Sequence, residues 1–264
     1  MKSFKTLTLA VNKQGVATIT MNRPEIHNAF NAEMIIELTQ CYKQLNADKS
    51  IRIILLQAAG KSFSAGADIN WMKGMVNATE AENKKDSEQL ALLLRSINFN
   101  SKTTIAKVHG LALGGGVGLA CCCDIVMADK NAKFGLTEAR LGLVAAVISP
   151  YVIDAIGMRK ARRYLQTAEV FDAIKAQQLG IVSECVESEQ QLDIQTEAII
   201  DSLMTTGPNA KEISKKLVMS VVGRTVAQQK KIDEYTTQVI AAVRVSEEGQ
   251  KGLKAFLEKK SPNW

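Results

Sequence analysis

Up to about residue 189 the chain alternates short β-branched runs with longer stretches of helical periodicity, and beyond it the strand signal stops. That alternation restricts the first part to an α/β domain of repeated strand–strand–helix turns. Residues 6–11 and 16–21 read as two strands joined by a turn at 12–15. Asn31 stands where a helix cap is needed, ahead of a helix over 32–47 with apolar residues at helical spacing. Residues 51–57 form another strand, almost continuously apolar, as expected of a parallel strand buried on both faces. A helix over 87–96, a strand over 104–109, a glycine-rich turn, a helix from Gly116 and a strand over 125–128 complete the pattern. After residue 189, Lys/Glu-rich helical segments run to the end, broken near Gly207-Pro208, with Ile213, Leu217 and Val221 at helical spacing. The expected division is a core over 1–190 that carries the reactive site and a helical unit over 191–264 that packs on the core or on a neighbouring subunit.

Composition narrows the partners without choosing one. The 264 residues are 46% hydrophobic, ample for a sizeable core. No apolar run reaches the roughly 20 residues that span a bilayer. Residues 1–10 alternate polar and apolar side chains in place of the apolar stretch of a signal peptide. A cytoplasmic protein that does not enter a membrane is expected. Of the five cysteines, Cys121, Cys122 and Cys123 are adjacent. On a helix their side chains diverge by roughly 100° each, so they cannot converge on one metal. They and Cys41 and Cys185 read as small, reduced core residues, and no metal site is expected. The net charge of +6 suits an anionic partner: nucleic acid, a membrane surface or a phosphorylated small molecule. The basic clusters are short, and no zinc-finger spacing or RNA-binding aromatic signature accompanies them, so the pattern does not point to nucleic acid.

Two turns carry the chemistry. In Gly110-Leu111-Ala112-Leu113-Gly114-Gly115-Gly116-Val117-Gly118 a buried strand enters three glycines and a helix leaves them. Free N–H groups at such a helix start suit a phosphate or a developing oxyanion. The spacing is neither that of a phosphate-binding P-loop nor that of a dinucleotide fingerprint. A second turn, Ser62-Phe63-Ser64-Ala65-Gly66-Ala67-Asp68-Ile69, also follows a buried strand. Two such turns can each give one N–H to a single carbonyl oxygen, which thioester chemistry needs because enolate charge collects there.

With these residues in view, the chain resembles the enoyl-CoA hydratase/isomerase (crotonase) family over essentially its whole length. The matching stretches are Met21-Asn22-Arg23-Pro24-Glu25 with Asn28-Ala29-Phe30-Asn31, Phe63-Ser64-Ala65-Gly66-Ala67-Asp68, and Ala112-Leu113-Gly114-Gly115-Gly116. They continue with Phe134-Gly135-Leu136-Thr137-Glu138, Leu141-Gly142, residues 176–182, and the closing Glu248-Gly249-Gln250-Lys251-Gly252 and Ala255-Phe256-Leu257-Glu258-Lys259-Lys260-Ser261-Pro262-Asn263-Trp264. The resemblance implies a crotonase-like spiral of ββα turns with a C-terminal helical domain, assembled as a homotrimer or homohexamer. It implies an acyl-CoA thioester substrate and no separate cofactor, coenzyme A being part of the substrate. Carried over residue by residue, Ala67 and Gly115 donate the oxyanion-hole N–H groups and Glu138 is the catalytic acid/base. Ala65 sits beside the CoA adenine and Lys61 is a candidate for its phosphates.

One departure matters. Two-carboxylate hydratases of the family carry a second Glu two residues after the triple glycine, where this chain has Gly118. A single Glu is what many of the family's double-bond isomerases keep. The stretch 141–152, with Ile69-Asn70-Trp71-Met72 and Ala161-Arg162-Arg163-Tyr164, resembles bacterial methylglutaconyl-CoA and isohexenylglutaconyl-CoA hydratases, which also tend to have glycine there. The reading is therefore a hydratase of a branched enoyl-CoA, with a Δ3,Δ2-enoyl-CoA isomerase as the alternative and an RNA-binding protein without turnover as the remote one. Gly118 is expected to leave space for substrate bulk, and Ser149 to help hold the water. Asp68 is either a site carboxylate or a turn and helix-end residue. Trp71 and Met72 either line the acyl pocket or are plain core. Arg140 is either an ion-pair partner or a receptor for a substrate carboxylate.

Overall fold

The structure is a computed structural model that describes residues 4–264. Residues 1–3, part of the segment read as lacking a signal peptide, lie outside the described residues. A hairpin opens the fold, β1 (Leu7–Val11) and β2 (Val16–Met21), its turn held by the Asn12 side chain, which accepts from the N–H groups of Gln14 and Val16. Helix α1 (Ala32–Ala47) follows, capped by Asn31, whose side chain accepts from the Met34 N–H. Next come β3 (Ile53–Ala58), α2 (Ile69–Val76), α3 (Glu80–Asn98), β4 (Thr103–Val108), β5 (Leu111–Leu113), α4 (Gly115–Cys122), β6 (Ile125–Asp129) and β7 (Lys133–Gly135). The core closes with α5 (Ser149–Ile156), α6 (Met158–Thr167), β8 (Val170–Asp172), α7 (Ala173–Leu179) and β9 (Glu184–Val186). The remaining elements are helical: α8 (Glu189–Met204), α9 (Pro208–Val221), α10 (Val226–Val245) and α11 (Glu247–Leu257).

The strands form a six-stranded sheet, β1-β2-β3-β4-β6-β9, and a three-stranded sheet, β5-β7-β8. Apart from the β1–β2 hairpin, neighbours in the larger sheet run parallel. This explains the nearly continuous apolar run of β3. Ile54 and Leu56 face the main core, while Ile53 and Leu55 face a second cluster with Val16, Ile105 and Met127. Leu192 and Ile200 of α8 cap that second cluster, so the first helix after the strands is a layer on the sheet. This succession of strands and helices on two sheets is what the resemblance to the crotonase family implies.

Helix α3 begins seven residues earlier than its apolar periodicity marks. Its start is set by a capping box, in which the Thr79 side chain accepts from the Glu82 N–H and Glu82 returns the bond to the Thr79 N–H. Such a start is carried by polar residues, and an apolar periodicity does not register it. Thiols Cys122 and Cys123 are buried at the end of α4, and burial pushes the neighbouring Cys121 thiol up to about 12, away from any thiolate role. No helix among the described residues is long and apolar enough to cross a membrane.

Candidate active site

The stretch around Arg23 and Asn28 builds a scaffold for the first turn. The buried Asn28 side chain accepts from the Arg23 N–H and donates to the carbonyls of Ala59 and Ser62 at 2.8 Å each. This ties the 3-10 turn Pro24–Ile26 to the end of β3. Beyond it, Phe30 donates its N–H to the Gly66 carbonyl and accepts from the Asp68 N–H, both at 2.7 Å. These bonds flank Ala67 and leave its own N–H without an acceptor among the described residues.

The second turn is bolted to the first. Ser64 donates its N–H to the Leu111 carbonyl at 2.8 Å, and Leu113 returns an N–H to the Ser64 carbonyl at 2.9 Å. Gly114 turns the chain with φ at +51°, a region that L side chains rarely adopt. Gly115 is the first residue of α4, so its N–H has no intrahelical acceptor. A Cβ on Gly115 would lie 2.5 Å from the Phe30 ring, so only glycine lets the helix start approach the first turn this closely. Two N–H groups without an acceptor among the described residues thus come from adjoining turns.

Glu138 arrives from the smaller sheet. Strand β5 pairs with β7, the Gly114 N–H donates to the Gly135 carbonyl at 2.8 Å, and the 3-10 turn Thr137–Leu141 follows. The carboxylate therefore lands against Gly114, where a Cβ would sit 2.9 Å from its Oε1. Oε2 is enclosed and has no hydrogen-bond partner among the described residues. Burial, with no cation to offset it, pushes this carboxyl up to about 7. An acid with that value exchanges a proton readily near neutral pH.

These groups share a cavity of about 560 Å³. Of the residues expected in the site, it brings together Ala65, Ala67, Trp71, Gly115 and Glu138, and Met72 and Arg140 also line it. Lys61, Asp68, Gly118 and Ser149 do not line it. Lys61 is exposed on the surface. Asp68 caps α2, accepting from the Asn70 N–H, and is ion-paired with Arg23 at 2.7 Å. Its carboxylate is occupied in holding the turn. Ser149 opens α5 with its hydroxyl donated back to the Ala146 carbonyl at 2.7 Å, so the structure gives no support to its holding a water. Several lining residues escaped the sequence reading: Phe30, Ile148, and Arg244 with residues 260–262 of the C-terminal end. Phe30 lies in the segment Asn28-Ala29-Phe30-Asn31, but its ring contact with Gly115 joins residues 85 positions apart and has no local signal.

The expectation that Gly118 vacates space for the substrate is corrected by the packing. Gly118 is buried in α4, and a Cβ there would meet Ile148 Cγ2 at 2.3 Å. Ile148 therefore fills the space beside Gly118 and presents its own side chain to the cavity. Overpacking of this kind costs about 1–3 kcal/mol. Gly118→Ala is expected to lower unfolding stability by about that amount in a urea titration, and Ile148→Ala in the same chain to recover part of the loss. Equal stability of Gly118→Ala and the parent would show that Ile148 moves aside freely.

Comparison with known proteins agrees with this geometry. The family model for enoyl-CoA hydratase/isomerase matches residues 11–264. The crystal structure of an enoyl-CoA hydratase from Shewanella pealeana is 42% identical, with a TM-score of 0.80 over 99% of this chain and 96% of that one. The crotonyl-CoA hydratase of Syntrophomonas wolfei is 30% identical over 96% of this chain and 95% of its own. The (E)-benzylidenesuccinyl-CoA hydratase of Thauera aromatica is 30% identical over 97% of each chain.

Proposed function

The chain belongs to the enoyl-CoA hydratase/isomerase family, and from that premise we propose that it adds water across, or removes it from, the 2,3 double bond of a branched enoyl-CoA such as 3-methylglutaconyl-CoA. The observation that carries the reading is the meeting of a partly buried carboxyl, Glu138, whose Oε2 has no partner among the described residues, with the N–H groups of Ala67 and Gly115, which have no acceptor among them either. In the hydration direction Glu138 takes a proton from water as the water oxygen bonds to C3. The C2–C3 π electrons move toward the thioester oxygen, where the Ala67 and Gly115 N–H groups stabilise the enolate. Glu138 then returns its proton to C2, and the product is the 3-hydroxyacyl thioester. One carboxyl does both transfers, and the water is held by Glu138 and backbone groups. The chemistry calls for no metal or redox group, because coenzyme A enters as part of the substrate.

Benzylidenesuccinyl-CoA, named for the Thauera relative, is itself branched and carries a free carboxyl, which supports a substrate of this class. A second reading has one observation in its favour. Glu138 is the single carboxylate among the cavity-lining residues, and a Δ3,Δ2-enoyl-CoA isomerase needs one acid alone to carry a proton between C4 and C2. Supplying a 2-enoyl-CoA and the matching 3-enoyl-CoA separates the two. Water addition to the first supports hydration; conversion of the second with no water addition replaces it by isomerisation. Assembly as a homotrimer or homohexamer fits helix α9, which buries none of its residues within the chain and leaves Ile213, Leu217, Val218 and Val221 exposed. The buried, un-ionised thiols fit a reducing, cytoplasmic setting.

The pH dependence follows from the carboxyl's raised value. Hydration begins with Glu138 ionised, so kcat/KM is expected to rise with pH, with its midpoint near 7, and then level off. A profile that is flat across that region would remove a titrating Glu138 from the first step.

A further inference from the structure

We infer that Arg244 receives a distal carboxylate of the acyl group, making the cavity selective for enoyl-CoA thioesters whose acyl part ends in a carboxylate. The inference rests on the hydratase reading for the reaction but not for the binding. Arg244 lies in the last turn of α10, is 8% exposed and lines the cavity. The cavity it lines is otherwise largely apolar, with Trp71, Met72, Met75, Leu90 and Ile240 among the lining residues. A guanidinium offers five N–H donors in a planar fork. Here its hydrogen bonds among the described residues all leave from Nη1. They reach the Asn83 carbonyl and Oδ1 at 3.5 and 3.4 Å, and Asp86 Oδ2 and Ser87 Oγ at 3.3 Å. All four are long. Nε is buried and has no partner among the described residues.

Such a cation is held in place and incompletely satisfied. Burial draws its pKa down, and Asp86 alone opposes that. Asp86 is engaged through both oxygens, Oδ1 accepting from Trp71 Nε1 at 3.2 Å and Oδ2 from Arg244 Nη1 at 3.3 Å. A carboxylate entering the cavity would pair with the donors left over, and a fork recognises a carboxylate's two oxygens better than a point charge does. Arg140 also lines the cavity, but it is exposed, where water screens its charge. The phosphates of coenzyme A are the other anions at hand, and the test holds them constant.

Calorimetric titration with two saturated ligands reads the site without turnover: glutaryl-CoA and its terminal amide, which differ only in the distal group. The parent enzyme is expected to bind the acid roughly 30-fold or more tightly than the amide, the low end of what a desolvated charged pair carries. Arg244→Gln should bring that ratio close to one, and Arg140→Gln should leave it standing. Equal binding of the two ligands by the parent overturns the inference, and this arm needs no variant to fold. A folded Arg244→Gln that keeps the ratio, or an Arg140→Gln that abolishes it, overturns it too. Should Arg244→Gln not fold, Arg244→Lys takes its place: a reduced ratio supports the fork and an unchanged one sinks it. Failure of water addition in a parallel activity assay would sink the hydratase reading alone, because the ligands here do not react.

Discussion

Glu138→Gln is expected to lower kcat by about 10²- to 10⁴-fold, the usual contribution of a positioned acid/base. The amide keeps the shape of the side chain against Gly114 but can neither take a proton from water nor return one to C2. Binding of an unreactive acyl-CoA should change little, which separates lost chemistry from a lost pocket. Turnover within about threefold of the parent, far short of that range, would remove Glu138 from the mechanism. Stability supplies an independent reading. The folded carboxyl titrates near 7 against an ordinary 4.5, so the folded state holds its proton more tightly than the unfolded chain does. That contribution is fully present below the unfolded value and is lost as the pH rises through 7. It amounts to on the order of 3 kcal/mol at about 1.4 kcal/mol per pH unit. The Gln variant should therefore gain on the parent as the pH rises from 4.5 to 7, while catalysis moves the opposite way.

Ala67→Pro is the second large effect, with an expected loss of about 10²- to 10³-fold in kcat, the range found when one oxyanion donor is removed. Proline deletes the N–H itself, which no other side-chain change can do. The position is favourable for the test because the Ala67 N–H has no acceptor among the described residues, while the flanking bonds to Phe30 use Gly66 and Asp68. A circular dichroism spectrum and melting temperature close to the parent's would establish that the turn survives. A folded Ala67→Pro enzyme with parental kcat would mean that the enolate oxygen is stabilised elsewhere.

The packing shows what a second carboxylate at position 118 would meet. Gly118 faces Ile148, so a Glu in that place would need both a relocated isoleucine and a home for a buried charge. The single-carboxyl arrangement is thus built into two elements, α4 and the start of α5.

Much of this was legible in the sequence because its physical cause is local. The apolar run of β3 announced a strand buried on both faces, and Asn31 announced the start of α1. The glycines after β5 announced a helix start with free N–H groups, and the motifs around Ala67 and Glu138 announced the family. What only the tertiary structure decided depends on contacts between distant segments. It spent the Asp68 carboxylate on Arg23 and the α2 cap, turned the Ser149 hydroxyl back to Ala146, and filled the space at Gly118 with Ile148. It also carried Arg244 from α10, more than 150 residues downstream, to Asn83, Asp86 and Ser87 on α3 and so to the cavity wall. A sequence records which donors and acceptors a segment brings. Whether they are already satisfied depends on which other segment they meet, and that is settled by the packing of the helices on the sheet.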